Sequence, residues 1–270
     1  MDEQCNKAIG IFDSGVGGLT VLKEVRKKLA REKIIYLGDT ARVPYGIRSA
    51  QTVLKYSVAN TDFLLGQNIK LLIIACNTAS AVATHDLRSK YSIPIVDVVG
   101  PGARRAVRVT RNRKIGIIGT EGTIRSGSYQ QEVTRLDPRV ETFTQACPLF
   151  VPLAEEGWCS RDDTVVMLVA RRYLDNLRSC GIDTLVLGCT HYPLLKNVLQ
   201  KVMGNSITLI DSAEETAREV VDVLTAKNML NASKCNGKSL FYLTDIPHRF
   251  TETGKLFLGD ELGDVTLIDI

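Results

Sequence analysis

The stretch Leu72-Ile73-Ile74-Ala75-Cys76-Asn77-Thr78 has a close counterpart later in the chain, Leu185-Val186-Leu187-Gly188-Cys189-Thr190-His191. In both stretches a short apolar run, typical of a buried strand, leads into a cysteine and then into residues that favour the start of a helix. A second pair, Ile9-Gly10-Ile11-Phe12-Asp13-Ser14 and Ile115-Gly116-Ile117-Ile118-Gly119-Thr120, recurs in the same order. These two pairs predict that the second half of the chain repeats the first.

The predicted strands support this repeat. Apolar runs alternate with amphipathic stretches, which is the pattern of parallel sheets covered by helices. The predicted strands start at Ile9, Ile34, Leu71, Ile95, Ile115, Val140, Leu185 and Ile207. The last four follow the first four by 106, 106, 114 and 112 positions. Because any two strand–helix units look alike, the strand pattern alone could arise by chance, but the paired cysteines are harder to explain that way. We predict an α/β fold of two pseudo-symmetric, doubly wound domains with mainly parallel sheets.

The last 60 residues predict how these domains are connected. A long helical pattern follows Asp211, and late strands are predicted at 239–243 and 265–268. This segment must pack on one of the two domains, and we expect it to return to the first. The predicted first domain is therefore 1–97 with 211–270, and the second is 98–210. A ligand cleft is expected between the carboxyl ends of the strands of the two domains.

Composition excludes several classes of protein. With 270 residues, 44% of them hydrophobic and 24% charged, the chain is neither disordered nor collagenous. No apolar run approaches the ~20 residues of a membrane-spanning helix, and the N-terminus has no secretory signal pattern. The seven cysteines include no C-x-x-C pair and are expected to be free thiols, so we predict a cytoplasmic protein without a membrane partner. The basic stretch 104–114 contains no aromatic residue and is interpreted as a solvated helix end, so no nucleic-acid partner is predicted.

Cys76 and Cys189 are the first candidates for chemistry. Each lies between a predicted strand and a predicted helix, where free backbone N–H groups and the helix dipole favour a thiolate. A buried cysteine is more often a small apolar core residue, but equivalent positions in both halves favour a functional pair. The remaining cysteines, which lack such a setting, are interpreted as structural: Cys5, Cys147, Cys159, Cys180 and Cys235.

Acidic and imidazole groups near the two cysteines are candidate partners for proton transfer. Asp13 begins the glycine-rich turn 13–19, which could receive a small carboxylate; it lacks the lysine and the glycine spacing of nucleotide-binding loops. Asp13 could alternatively be a plain helix N-cap. His191 follows Cys189 closely, and Glu155 and Glu156 are further candidates. Thiolates and an imidazole also suit zinc, but no closely spaced ligand pair is present, and we predict no metal.

Three motifs in this order closely resemble the glutamate racemase family, within the aspartate/glutamate racemase superfamily. They are the segments 10–20, 75–79 and 188–193, and the segments 38–46 and 147–153 add to the resemblance, which covers nearly the whole chain. The resemblance implies cofactor-independent interconversion of L- and D-glutamate, which supplies D-glutamate for bacterial peptidoglycan. The motif residues show no departure from the family pattern.

The resemblance also implies individual roles. Cys76 would take the proton from D-glutamate and Cys189 from L-glutamate, one on each face of Cα. Asp13 would assist Cys76, whereas His191 and one glutamate would assist Cys189; Glu155 is favoured over Glu156. The implied substrate contacts, with Thr120 added from the symmetry, are Asp13, Ser14, Tyr45, Gly46, Asn77, Thr78, Thr120, Thr190 and His191.

Two other functions remain open at this point. A racemase of the same superfamily acting on aspartate would keep both cysteines, although the segments around Tyr45 and His191 favour glutamate. A ligand-binding or regulatory protein could keep the fold without turnover; relatives are described as partners of DNA gyrase, and the basic stretch 104–114 could serve such a contact. Retention of both cysteines argues against a purely non-catalytic role. A homodimer is expected because closed symmetric dimers are the commonest oligomers.

Overall fold

The computed structural model of this chain describes residues 3–233, 235–245, 250–260 and 262–270. These residues form two sheets in which every strand pair is parallel. The strands are β1 Ala8–Asp13, β2 Ile34–Gly38, β3 Ile69–Ile74, β4 Ile95–Asp97, β5 Lys114–Gly119, β6 Glu141–Ala146, β7 Thr184–Gly188, β8 Thr208–Asp211, β9 Ser239–Leu243 and β10 Val265–Leu267. The α-helices are α1 Leu19–Lys28, α2 Ala50–Gly66, α3 Asn77–Lys90, α4 Val99–Val109, α5 Glu121–Ser126, α6 Ser128–Leu136, α7 Phe150–Glu155, α8 Thr164–Ser179, α9 Lys196–Met203, α10 Ser212–Ala226 and α11 Phe250–Leu258.

The two sheets repeat one topology. The first sheet contains the order β2-β1-β3-β4, and the second has the order β6-β5-β7-β8. Each strand of the second sheet therefore occupies the place of the strand four positions earlier in the first. The predicted α/β class and the predicted repeat are confirmed, and all eight predicted strand starts lie within two residues of the observed ones.

Burial on both faces explains why the central strands read as nearly continuous apolar runs. Every residue of β1 and of β3 is buried, as expected for parallel strands covered by helices on both sides. The helix α1 buries Val21, Leu22 and Val25, and its last turn carries Arg26, Lys27 and Lys28, where positive charge complements the helix dipole. This helix connects β1 to β2 as the sequence pattern predicts.

The C-terminal segment joins the first sheet. β9 pairs with β2, and β10 pairs with β9, so this sheet has six strands where the second has four. A buried ion pair fastens the segment: Lys70 Nζ lies 2.6 Å from Glu32 Oε2 and donates to the carbonyl oxygen of Met229. These pairings are compatible with the predicted domain limits, 1–97 with 211–270 and 98–210, which stay a prediction.

The basic stretch after residue 103 is less solvated than the sequence suggested. Arg104 pairs with Glu219 at 2.6 Å, and Arg105 lies 3.7 Å from Glu215. Both acids belong to α10, so part of the positive charge of α4 is neutralised by its neighbour. Within the described ranges, no helix combines the length and the apolar character needed to cross a bilayer.

Candidate active site

One cavity lies where the carboxyl ends of the two sheets face each other. Its volume is about 280 Å³, enough for a small amino acid. Its lining joins residues that follow β1, β3, β5 and β7, in agreement with the rule that ligands bind at the carboxyl ends of parallel strands. The lining residues are Ser14, Val43, Pro44, Tyr45, Gly46, Ile47, Cys76, Asn77, Thr78, Thr120, Glu121, Pro148, Val151, Pro152, Glu155, Cys189, Thr190 and His191.

Cys76 is placed by the end of β3 and the start of α3. It is the N-cap of α3, and its Sγ accepts a hydrogen bond from the backbone N–H of Ala79 at 3.5 Å. The Ser14 hydroxyl, at the end of β1, lies 3.7 Å from the same sulfur. Burial raises the pKa of the Cys76 thiol to about 12, and the nearby carboxylate of Asp13 adds to the rise. Both effects favour the protonated thiol form of Cys76 at neutral pH.

Cys189 occupies the equivalent place after β7, but its partner is different. Its Sγ lies 3.8 Å from Nδ1 of His191, and Nε2 of His191 lies 2.9 Å from Oε1 of Glu155. Burial lowers the pKa of His191, but its hydrogen bonds with Cys189 and Glu155 outweigh burial and raise that pKa to about 10. These contacts favour the imidazolium form of His191.

Asp13 lies behind the cavity, fully buried at the end of β1. Its Oδ2 accepts a hydrogen bond from the N–H of Gly15 at 2.9 Å. Burial raises the pKa of Asp13, and the positive charge of His191 and backbone N–H groups of the turn oppose that rise. A Cβ atom at Gly18 would lie 2.9 Å from Cγ of Asp13, so the glycine lets the turn close over the carboxylate.

Two buried oxygen atoms near Cys76 point to a missing donor. In the described part of the chain, neither Oδ1 of Asp13 nor Oδ1 of Asn77 has a hydrogen-bond partner. The Asn77 amide is fixed, because its Nδ2 donates to the Tyr129 hydroxyl at 2.9 Å. An unpaired buried acceptor is costly, so these two oxygens are suited to receive N–H groups from a ligand.

Tyr45 forms part of the wall with its ring rather than with a free hydroxyl. The hydroxyl donates to Oδ2 of Asp39 and accepts from Nδ2 of Asn60 at 3.0 Å. Because the hydroxyl is committed to these partners, Tyr45 contributes a rigid apolar surface and positions Gly46. A Cβ atom at Gly46 would lie 2.8 Å from Cβ of Thr120, so the loop of the first sheet contacts the second sheet directly.

Threonine side chains connect the two halves beside the cavity. The Thr78 hydroxyl lies 2.9 Å from that of Thr120 and 3.3 Å from that of Thr123. Thr20, in the first turn of α1, donates to the backbone carbonyl of Thr190 at 3.0 Å. Both connections join an element of the first sheet to an element of the second.

Charge in the lining is unusual for a site that would hold an anion. Among the described residues that line the cavity there is no lysine or arginine, and His191 is the only one that can carry a positive charge. Anionic ligand groups would therefore rely on hydroxyl and backbone N–H donors, including those at the start of α3. Among the described residues, no cluster of three or more His, Cys, Asp or Glu side chains is arranged to hold a metal ion.

The structure brings the sequence-predicted residues together. All of them line the cavity except Asp13, which lies behind it, and Glu155 rather than Glu156 contacts His191. Glu156 lines a neighbouring cavity instead. The sequence did not single out the apolar wall formed by Val43, Ile47 and Val151, nor Thr20 and Thr123. The apolar segments next to the motifs were a weak sequence signal for the apolar wall. No sequence signal indicated that Thr20 and Thr123 contact the other half of the molecule.

Comparison with known proteins identifies the family of this chain. The model of the family Asp/Glu/Hydantoin racemase matches residues 14–220. A protein of Geobacter metallireducens named glutamate racemase is 55% identical over 264 residues, which covers 98% of this chain and 97% of that protein. One of Syntrophus aciditrophicus with the same name is 48% identical over 262 residues, or 97% of this chain and 96% of that one.

A solved structure gives the same result for the fold. The glutamate racemase of Francisella tularensis, in complex with D-glutamate, superposes with a TM-score of 0.92 at 37% identity and with 98% of both chains covered. The family model spans most of the chain, and the sequence relatives and the structure span nearly all of it. This chain is therefore a member of the Asp/Glu/Hydantoin racemase family.

Proposed function

We propose that this protein interconverts L-glutamate and D-glutamate by moving the Cα proton between Cys76 and Cys189, without a cofactor. The main support is that two cysteines from different sheets line one cavity. Each has a titratable neighbour, which is Asp13 for Cys76 and His191 for Cys189. The names of the relatives at 48% and 55% identity supply the substrate. A racemase needs a base on one face of Cα and an acid on the other, and two opposed thiols suit both roles.

The different surroundings of the two sulfur atoms favour one direction for the first proton transfer. Cys76 is a thiol, because burial and Asp13 raise its pKa to about 12. The imidazolium of His191 beside Cys189 stabilises negative charge on that sulfur. We assign Cys189 as the base that removes the Cα proton of L-glutamate and Cys76 as the acid that protonates the opposite face. The reverse reaction starts from the state that this step leaves, with Cys76 as the thiolate base and Cys189 as the thiol.

The two unpaired oxygens support a binding place for the substrate ammonium group beside Cys76. Asn77 Oδ1 and Asp13 Oδ1 are both buried acceptors next to Cys76, and an ammonium group supplies the donors they lack. Placing the ammonium there orients Cα between the two sulfurs. Asp13 would then serve both as an ammonium contact and as the proton partner of Cys76.

Neutral donors would bind the carboxylates and the carbanion. The hydroxyls of Ser14, Thr78, Thr120 and Thr190 and the N–H groups at the start of α3 are available around the cavity. Charge that develops on the α-carboxylate during proton removal is stabilised by fixed dipoles most strongly where water is excluded. The apolar wall of Val43, Ile47 and Val151 provides that exclusion on one side.

The biological setting follows from this activity. We propose that the protein supplies D-glutamate for peptidoglycan in the bacterial cytoplasm, where its seven free cysteines stay reduced. We also propose a homodimer, on the general frequency of closed symmetric dimers. Light scattering of the purified protein would measure the mass, and a monomer at all concentrations would contradict the dimer.

The proposed function is tested by racemisation assays. The purified, metal-stripped protein is incubated with L-glutamate and, separately, with L-aspartate, and optical rotation is followed over time. We expect racemisation of glutamate, and loss of activity in both Cys76→Ala and Cys189→Ala. Cys180→Ala, which changes a cysteine remote from the cavity, is the matched control and should keep full activity. Turnover of aspartate alone would move the specificity to the sister enzyme, and no turnover of either substrate would contradict the enzyme assignment.

A further inference from the structure

The imidazole of His191 packs against a residue from a distant part of the chain. The rings of His191 and Phe257 meet edge to face, with centroids 5.0 Å apart and an angle of 79° between their planes. His191 follows β7 of the second sheet, whereas Phe257 belongs to α11, which follows β9 of the first sheet. Phe257 is 1% exposed and does not line the substrate cavity. Its ring therefore touches the back of the imidazole and not the space for substrate.

Phe257 is held in place by the packing of its own helix. α11 lies against the start of α1, since a Cβ atom at Gly254 would be 3.5 Å from Cδ1 of Leu19. The helix ends at Leu258, and Gly259 follows with a φ of +83°, a conformation that glycine adopts without strain. Leu258 and Phe250 are also buried, so both ends of α11 are anchored in the core.

The hydrogen bonds of His191 do not fix the ring by themselves. Nε2 bonds to Glu155, but the Glu155 side chain is 41% exposed and can rotate toward water. Nδ1 lies 3.8 Å from Cys189 and 3.5 Å from the Thr190 hydroxyl, and both distances are long. The remaining surface of the ring is restricted by packing: a Cβ atom at Gly17 would lie 2.5 Å from Nδ1, and Phe257 covers another side.

We propose that Phe257 is a positioning residue for the reaction: its ring holds the His191 imidazole in the orientation that joins Glu155 to Cys189. This inference rests on the proposed function, in which His191 is the proton partner of Cys189. Edge-to-face contact between rings prefers a particular geometry, which an aliphatic side chain of similar volume does not impose. The C-terminal segment thus contributes to the chemistry of the second sheet through α11.

The test compares two equal substitutions on one helix. Phe257→Leu removes the ring that contacts His191 and leaves an apolar residue in the core. Phe250→Leu removes a buried ring two turns earlier on α11 and is the matched control. Both variants are labelled with 15N-histidine, and the His191 resonance is titrated without substrate. The kcat and KM values for L- and D-glutamate are measured on the same samples.

In Phe257→Leu we expect kcat to fall about tenfold in both directions while KM changes less than about twofold, because alignment for proton transfer is lost. The pKa of His191 should fall from about 10 toward its ordinary value, since the hydrogen bonds that raise it are made for less of the time. Phe250→Leu should match the wild-type protein in both readouts, even if its midpoint of thermal unfolding drops as much.

Two results would overturn the proposal. One is a folded Phe257→Leu variant with wild-type kcat and wild-type titration of His191. The other is an equal change of kcat and titration in both leucine variants, which would indicate a general loosening of α11. If Phe257→Leu does not fold, Phe257→Met carries the same test with a more adaptable side chain. The histidine titration does not require turnover. A wild-type protein that fails to racemise glutamate would therefore contradict the proposed function, while the titration would still test whether Phe257 orients His191.

Discussion

Nε2 of His191 lies 2.9 Å from Oε1 of Glu155, which is 36 positions earlier in the chain and follows a different strand of the second sheet. In the part of the chain that the structure describes, this pair has no counterpart at the first cysteine, where Asp13 and Ser14 lie near Cys76 instead. The fold is repeated, but the chemistry of its two halves is not. The two sulfur atoms therefore have different neighbours, an imidazole at Cys189 and a carboxylate near Cys76, and the next two predictions depend on this difference.

Removing the charge of Glu155 should shift the pH dependence of the reaction. In Glu155→Gln a hydrogen bond to His191 can persist, but the carboxylate that helps to raise the pKa of His191 is gone. His191 then loses its proton at a lower pH, so the alkaline limb of the kcat profile should move to lower pH and kcat should fall about tenfold. Steady-state rates across the pH range measure this. Glu156→Gln is the matched control, and an equal shift in that variant would contradict the assignment of Glu155.

Removing the charge of Asp13 should make Cys76 more acidic while reducing activity. Burial is the main cause of the raised pKa of Cys76, and the Asp13 carboxylate is the second. In Asp13→Asn the second cause disappears, so iodoacetamide should label Cys76 faster at a fixed pH above neutrality. Racemisation should nevertheless drop about a hundredfold, because the proton partner of Cys76 is lost.

Peptide mass spectrometry measures the labelling of each cysteine in Asp13→Asn. Cys147 serves as the internal reference, because burial raises its pKa with a smaller contribution from Cys189. Slower labelling of Cys76 in the variant, or an equal acceleration at Cys147, would contradict the electrostatic coupling of Asp13 and Cys76.

The sequence predicted where the candidate catalytic residues lie better than it predicted which side chains they contact. The strand-end rule predicted Cys76 and Cys189 in one cleft, because each follows a parallel strand of its own sheet and ligands bind at the carboxyl ends of such strands. The choice between Glu155 and Glu156 stayed open, since both end a short helix and only the direction of each side chain separates them. The contacts of Thr20 with Thr190 and of Phe257 with His191 join residues that are far apart in sequence. No local sequence pattern predicts how the helix and strands of the C-terminal segment pack against the first sheet.

Asp211 should make the protein less stable as the pH rises. Burial raises the pKa of this α10 N-cap from the model-peptide value of 3.8 to about 6, so the folded state holds the proton more tightly than the unfolded state. The stabilisation is complete below the unfolded-state pKa and is lost as the pH passes about 6. Asp211→Asn keeps the hydrogen bond to the N–H of Ala213 and should raise the free energy of unfolding by about 1–3 kcal/mol at neutral pH.

Urea denaturation at acidic and neutral pH measures the effect of Asp211→Asn. The gain should shrink at the acidic pH, where Asp211 is already neutral. Asp163→Asn, the same substitution at the N-cap of α8, is the matched control and is measured at both pH values. A variant of Asp211 that is no more stable than the wild-type protein at neutral pH would rule out the burial cost.

The buried pair of Lys70 and Glu32 should be strongly coupled. Lys70→Met leaves the Glu32 carboxylate buried without its cation, which should cost about 3–5 kcal/mol of the free energy of unfolding. Adding Glu32→Gln to this variant removes the stranded charge, so the double variant should be less destabilised than the sum of the two single changes. A double-mutant cycle by urea denaturation gives the coupling energy. A coupling near zero would show that the pair does not fasten the C-terminal segment.

The most direct test of two-base catalysis is the position of solvent deuterium early in the reaction. L-glutamate is incubated with the wild-type protein in D2O, and the Cα deuterium of recovered L-glutamate and of new D-glutamate is measured separately by mass spectrometry. If Cys189 removes the proton and Cys76 supplies a different one, D-glutamate should carry deuterium at Cα while the recovered L-glutamate keeps hydrogen. Equal deuterium in both enantiomers from the start would indicate a single exchanging base and would contradict the two-thiol account.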